Sequence, residues 1–521
     1  MIQNKLDYEQ FKAENSSERR SRRSSRVKSL KVRKPSRFSR VRNSLKEVLT
    51  NRQLVTKILV TLLVVLVYRA LASIPLPGID MAVFEKDFSG RSASEASYFF
   101  LIFTGNTLET PSIVGLGIAA YINASIIMQL LTPVIPRLTE LQKDGARGQQ
   151  VINQYTRYLT LPLSFMYSVI YILILSQTDL SANGSGDYLV PSGPGSEWPT
   201  VTKVLFMALI LTAGSLFLMW LAEIITESGI GNGSSIIISI GILASLPSLI
   251  TQDFSQLNFL RIFESVLDGD LGVLTEPIFV SLLAVMLGFL AMIVVIVFAN
   301  ESMRKIKIQY ARRAVATPGA EDSHLPIKLT LSGVLPIIFA SAVLSIPQLI
   351  LPLLNRLIDD PFSEAGQFVI SLRNSFLFAV SDNVVNGKDI VYAVVYFILI
   401  IIFGVFYAFI SLKPKDTAEN LQKNSAFIPG VRPGKSTEKF ISKVLLRIGF
   451  AGAVFLAFLA LLPLAARNYI EWQTGVNLFL LSGIGGTSIL IVVSVVLDTY
   501  RQFTALRVTR SYSQYSSVVE N

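Results

Sequence analysis

The chain has 521 residues, of which 51% are hydrophobic and 16% charged, with a mean hydropathy of +0.52; a soluble protein carries about 25% charged residues, so an ordinary water-soluble globule is excluded. It has no cysteine and a single histidine, His324, which excludes disulfides, thiolate nucleophiles, Cys-ligated zinc, iron–sulfur clusters and multi-histidine metal sites. The net charge of +11 is uneven: residues 1–57 hold 17 basic and 5 acidic side chains, and the remaining 464 hold 30 and 31.

The tail comes first. Ser16–Arg42 (SSERRSRRSSRVKSLKVRKPSRFSRVR) is rich in Arg and Ser and has no apolar period. Such a composition predicts a disordered cytosolic arm that enforces topology. It also suits anionic lipid or RNA phosphate. A membrane-crossing helix needs about 20 mostly apolar residues. Ten such runs follow, near 56–77, 113–135, 155–177, 201–225, 233–250, 274–299, 327–354, 390–412, 444–466 and 476–497. The first is preceded by too long a polar segment for a signal peptide and is expected to be retained. After it, SYFFLIFTG within Ala93–Pro111 is apolar but too short to cross, which predicts a half-inserted segment on the outer side. Asn123 and Gln129 in the second run are expected to make interhelical hydrogen bonds.

Between the fourth and fifth runs lies ESGIGNGSS (Glu227–Ser235). Its glycine spacing fits neither phosphate-binding fingerprint, so a tight interhelical turn is predicted. His324 sits in EDSHLPIK, a polar loop, as a solvated or capping residue, and any Ser-His-Asp triad would have to use it. GIGGTS (Gly483–Ser488) reads as close helix packing.

Ten crossings put both termini on one side. With that side taken as the cytoplasm, the inside segments and span edges carry 38 of the 47 basic residues, while 19 of the 36 acidic ones lie outside. The positive-inside rule then fixes the orientation. Five runs is an odd number, so two halves of five would enter from opposite faces, as in an inverted repeat. The second, fifth, seventh and tenth runs have no ionisable residue in their middles. That disfavours a proton- or sodium-coupled transporter. They offer Ile118, Ile122, Ile126, Ile238, Ile242, Ile338 and Ile491 instead. Ordinary packing and a hydrophobic constriction both fit these residues, and spacing leaves the choice open.

YRALASIPLPGID (68–80), LGIAAYINASIIMQLLTPVIPRL (116–138), QYTRYLTL (154–161), WLAEIITESGIGNGSSIII (220–238), RKIKIQYARR (304–313), HLPIKLTLSGVLPIIFAS (324–341), FIPGVRPGKSTEKFI (427–441) and GGTSILIVVSVVLD (485–498) occur in this order. Together they resemble the SecY family of protein-conducting channels, from about Tyr68 to Tyr515. The resemblance implies an all-α polytopic membrane protein, ten transmembrane helices in two pseudo-symmetric five-helix halves that open like a clamshell. It implies a pore ring of Ile118, Ile122, Ile238, Ile242, Ile338 and Ile491, a plug near 96–112, and a lateral gate with Gln129 and Thr330 at its polar positions. It also implies ribosome and motor docking through Arg304, Arg312, Arg313 and above all Arg432.

The expected organisation is a basic tail (1–55), a first half (56–250), an outer hinge loop (251–273), a second half (274–497) and a cytosolic end (498–521). By the resemblance, the chain is the pore subunit of the Sec translocase and not an enzyme. It conducts unfolded secretory proteins and releases transmembrane segments sideways into lipid. No cofactor is expected. Expected partners are SecE-type and SecG-type subunits, the SecA ATPase, the ribosome, signal sequences and nascent chains, and membrane lipids. The expected place is the cytoplasmic membrane of a bacterium, with the thylakoid as alternative. A small-solute secondary transporter is the competing class, and it lacks a polar midplane site here.

Overall fold

A computed structural model describes residues 52–79, 111–177, 200–256, 277–310, 324–331, 333–344, 387–474 and 486–519. Residues 1–56 and 57–521 form two units. Of the first, residues 52–56 are described and are helical. The plug segment up to residue 110, the hinge loop beyond 256, and Arg312 and Arg313 lie outside the described residues.

The structure is helical with small strands. In chain order the helices are α1 (Arg52–Ala72), α2 (Ala119–Leu131), α3 (Pro136–Lys143), α4 (Ala146–Gln177), α5 (Thr200–Ser228), α6 (Gly233–Gln256) and α7 (Pro277–Glu301). Then follow α8 (Leu335–Leu344), α9 (Gly387–Leu412), α10 (Pro414–Lys423), α11 (Lys435–Thr474) and α12 (Gly486–Val519). Among the described residues, six helices are long and apolar enough to cross a membrane, and a seventh if the bent pair α2 and α3 counts as one span. The three other expected runs fall on α4, α6 and α8. There, α4 opens on a polar stretch (ARGQQVINQ), and the apolar parts of α6 and α8 are short among the described residues.

Several spans are apolar all round, which is the pattern of a helix facing lipid as well as protein. On α7, Leu283, Leu287, Leu290, Val294 and Phe298 are exposed, while Val285, Met292 and Ile296 are buried. One large apolar cluster joins α1, α2, α5, α6, α7, α8, α9, α11 and α12. A second packs the α2, α4 and α5 side around Tyr171, Leu116 and Leu211.

The turn between α5 and α6 is tight, as its glycines suggested. Gly231 has φ +90°, a conformation costly for residues with a Cβ. Its neighbours are pinned from afar: Ile230 N donates to Thr61 Oγ1 at 3.1 Å, and Gly231 N donates to Gln502 Oε1 at 2.9 Å.

The segments expected to be plain basic loops contain sheet. β1 (Met303–Lys307) pairs antiparallel with β3 (His324–Lys328), setting Arg304 opposite Ile327 and Ile306 opposite Leu325. β2 (Gln309–Tyr310) pairs with β4 (Ala426–Phe427). The cause is a period-two pattern within RKIKIQY: Ile306 and Ile308 turn inward while Lys305 and Lys307 face solvent. Ile306, Ile327, Ala408, Ile428, Ile441, Val444 and Leu445 form a separate small core beneath these strands.

Candidate functional site

The six isoleucines named from the sequence all fall in one apolar cluster. Ile118 is the residue that opens α2, and Ile122 lies one turn on; Ile238 and Ile242 are a turn apart on α6; Ile338 is on α8 and Ile491 on α12. All six are buried and belong to the same apolar cluster, together with Ile126. Four elements far apart in sequence thus contribute branched apolar side chains to one cluster, which also takes in residues of five further helices. Branched aliphatic groups offer no hydrogen-bond partner to an ion or a water, so a constriction lined by them would exclude both by dewetting. It remains deformable, because apolar attraction is non-directional.

The two expected gate residues, Gln129 and Thr330, bond to different partners. Gln129 donates through Nε2 to Ser125 Oγ on its own helix at 3.1 Å. This corrects the expectation of an interhelical bond there. Asn123 does reach another helix, donating to Tyr167 Oη of α4 at 2.8 Å. Thr330 is buried and donates through Oγ1 to Asn300 Oδ1 at 2.7 Å.

That bond opens a network the sequence reading missed. Asn300 also donates through Nδ2 to Ser494 Oγ at 3.1 Å, and Thr330, Asn300 and Ser494 are all buried. Arg501 donates through Nη2 to the Asn300 carbonyl at 2.7 Å and to Glu301 Oε1 at 2.8 Å; through Nη1 it meets Asp498 at 3.3 Å. The guanidinium thereby satisfies a carbonyl left over at the end of α7 and places positive charge at the negative pole of its dipole. The node fixes α7, the entry to α8, and α12 together.

Of the arginines expected to dock partners, Arg304 is exposed on β1 and Arg432 is exposed in the GVRPG turn. The turn is built by Gly430 and Gly434, both at positive φ, by Val431 N donating to Ile428 O at 3.0 Å, and by Thr437 Oγ1 donating to Arg432 O at 2.9 Å. The β2–β4 pairing ties the strand segment that follows Arg304 to the segment that leads into this turn. The result is a basic platform rather than two independent loops. His324 is exposed on β3 opposite Lys307. Among the described residues, no three His, Cys, Asp or Glu side chains come together in the manner of a metal site.

Comparison with known proteins was made on the sequence and on the fold. The SecY family profile matches residues 112–500. A protein translocase subunit SecY of Halalkalibacterium halodurans is 36% identical over 468 residues, covering 88% of this chain and 96% of that one. The corresponding subunit of Synechocystis is 38% identical over 459 residues, covering 88% and 92%. Among solved structures, a protein-conducting channel superposes with a TM-score of 0.55 at 19% identity, covering 86% of this chain and 92% of that one.

Proposed function

The chain belongs to the SecY family, and from that premise we propose that it is the central pore-forming subunit of a Sec translocase. It is a multi-pass membrane protein. It conducts unfolded secretory chains and lets transmembrane segments out sideways. The single observation that carries this reading is that Ile118, Ile122, Ile238, Ile242, Ile338 and Ile491, from four elements, are all buried in one apolar cluster. An apolar collar suits a polypeptide of any sequence: it closes around side chains by area, and it asks for no particular hydrogen bond.

In this reading ten spans form two five-helix halves, residues 56–250 and 274–497, joined through 251–273. The segment near 96–112 is the plug, and Gln129 and Thr330 line the lateral gate. The basic tail (1–55), the platform and the C-terminal end (498–521) face the cytoplasm, in the cytoplasmic membrane of a bacterium. Arg304, Arg312, Arg313 and Arg432 meet the ribosome or the SecA motor. SecE-type and SecG-type subunits brace the pore. The chain is a passive conduit and not an enzyme, so energy comes from those partners. The charge supports this orientation, because 38 of 47 basic residues lie on the docking side.

The test places photo-crosslinking residues at Ile122 and Ile338 in turn and stalls a secretory precursor in transit. Both positions are expected to crosslink to the precursor. Contact at neither position, in a channel that is exporting, would remove the pore assignment.

A further inference from the structure

Helix α3 leaves α2 through a 98° elbow. The elbow is tied: Thr139 Oγ1 donates to Thr132 O at 2.7 Å, and Leu138 packs with Met128 and Ile152. Movement of α3 is therefore passed to α2, the helix that bears Ile122 and Gln129. Opposite α3 stands the joint between α9 and α10. There Lys413, half-buried, donates through Nζ to Gln142 Oε1 of α3 at 2.9 Å. The partners are 271 residues apart, one on each side of the α6–α7 connection.

The joint itself is strained. Lys413 has φ +38° and ψ 82° directly before Pro414. A non-glycine residue in this region is strained and persists where surrounding contacts hold it. Among the described residues, the two non-glycine positions with positive φ are Lys413 and Ser425 (φ +51°), and they bracket α10. So α10 is a short rod between two strained joints. Its first turn is bound to the α9 end, since Thr417 Oγ1 donates to Leu412 O at 2.6 Å. Its far end continues into β4 and the Arg432 turn.

We propose that Lys413 and Gln142 form a releasable latch between the two halves, held closed until a partner docking at the Arg432 platform shifts α10. The latch rests on the channel reading above and adds a mechanical element to it. Contacts run from the Arg432 turn through β4 and α10 to Lys413, across one charge-assisted hydrogen bond to Gln142, and through the elbow to α2. Release lets Lys413 leave its strained conformation, so relief of strain opposes the lost bond and the two states lie close in free energy.

The experiment uses the full chain with its partner subunits in membrane vesicles. The chain has no cysteine, so Gln142→Cys/Lys413→Cys presents a single reactive pair. A disulfide needs Cα atoms within about 7 Å, and two side chains meeting at their tips call for a short bismaleimide instead. Bridged channels should export a signal-bearing precursor near background, while the same channels before bridging export normally. Export by bridged channels at the unbridged rate overturns the latch and leaves the channel reading intact. A parent chain that exports no precursor overturns the channel reading and the latch with it. A second arm needs no bridging. Lys413→Met and Gln142→Leu should each raise export of a precursor with a weakened signal sequence by about twofold to tenfold, the range that loss of one such hydrogen bond permits. The double variant should match the single ones, because both remove the same contact. Independent multiplication of the two effects, or no effect from either, overturns the proposal.

Discussion

Helix α12 serves two regions that are built differently. Ile491 enters the apolar centre, and Ser494, three residues on, enters the polar node with Asn300 and Thr330. The entry to α8 repeats the pairing, with Thr330 in the node and Ile338 in the centre. The apolar centre is held by area, so its side chains separate and close again at little cost in specificity. The node is held by direction. Each of its buried groups is satisfied in one arrangement, and the low local dielectric makes an unpaired member costly. A channel needs both: a seal that yields to a guest, and a joint that keeps the yielding helices in register.

The largest expected effect separates two neighbours on α8. Ile337 is fully buried, and Ile338 is assigned to the ring. Ile337→Ala should lose about 3 kcal/mol, as a buried isoleucine does when the site cannot collapse. Ile338→Ala should lose less than half of that and should leak small ions in planar bilayers. Equal stability losses with no leak would make Ile338 ordinary packing and erase the contrast between seal and joint.

The second effect falls on the node. Asn300→Leu removes both side-chain hydrogen bonds of Asn300 and leaves the Thr330 and Ser494 hydroxyls buried. A loss of about 2 kcal/mol is expected. The measurement is the unfolding midpoint of the purified complex in detergent, with ion tightness unchanged. A leaky channel of unaltered stability would mean that the node and the seal are one structure.

The burial of the proposed seal residues in one apolar cluster was legible in the sequence. Its isoleucines lie in motif-rich segments, and the glycine turn announced itself through residues that permit positive φ at Gly231. The node was not legible. Asn300 and Ser494 are separated by 194 residues, and each looks like an isolated polar residue near the end of an apolar run. Nothing local marks such a pair, because the bond depends on how α7 and α12 are packed. The strands fall between. Alternation in RKIKIQY was present, but the positive charges dominated the reading, and the partner strands β3 and β4 are short and distant. Gln129 shows the opposite failure. A polar residue in an apolar run was read as interhelical, yet Ser125 sits four residues earlier and offers a partner on the same helix face.

Thr330→Val is the smallest change and the most informative one for the gate. Valine keeps the shape and removes the donor to Asn300 Oδ1, so the geometry of α8 is preserved while one bond is lost. Asn300 still donates to Ser494, and Arg501 still holds the end of α7. The expected loss is about 1 kcal/mol, the net worth of one buried hydrogen bond between membrane helices. The same loss should vanish in the Asn300→Leu background, because the partner is already gone. In the present geometry Thr330 bonds within the second half and Gln129 within its own helix, so neither side chain crosses from α2 to α8. On the proposed gate reading, Thr330 acts through Asn300, by tying the segment that leads into α8 to the end of α7. Freed from that bond, α8 should part from α2 more readily, and export of a precursor with a weakened signal sequence should rise by about twofold to fivefold, within what 1 kcal/mol allows. If stability falls as expected and signal selectivity does not move, Thr330 is a strut of the node and the gate positions must be sought on α8 itself.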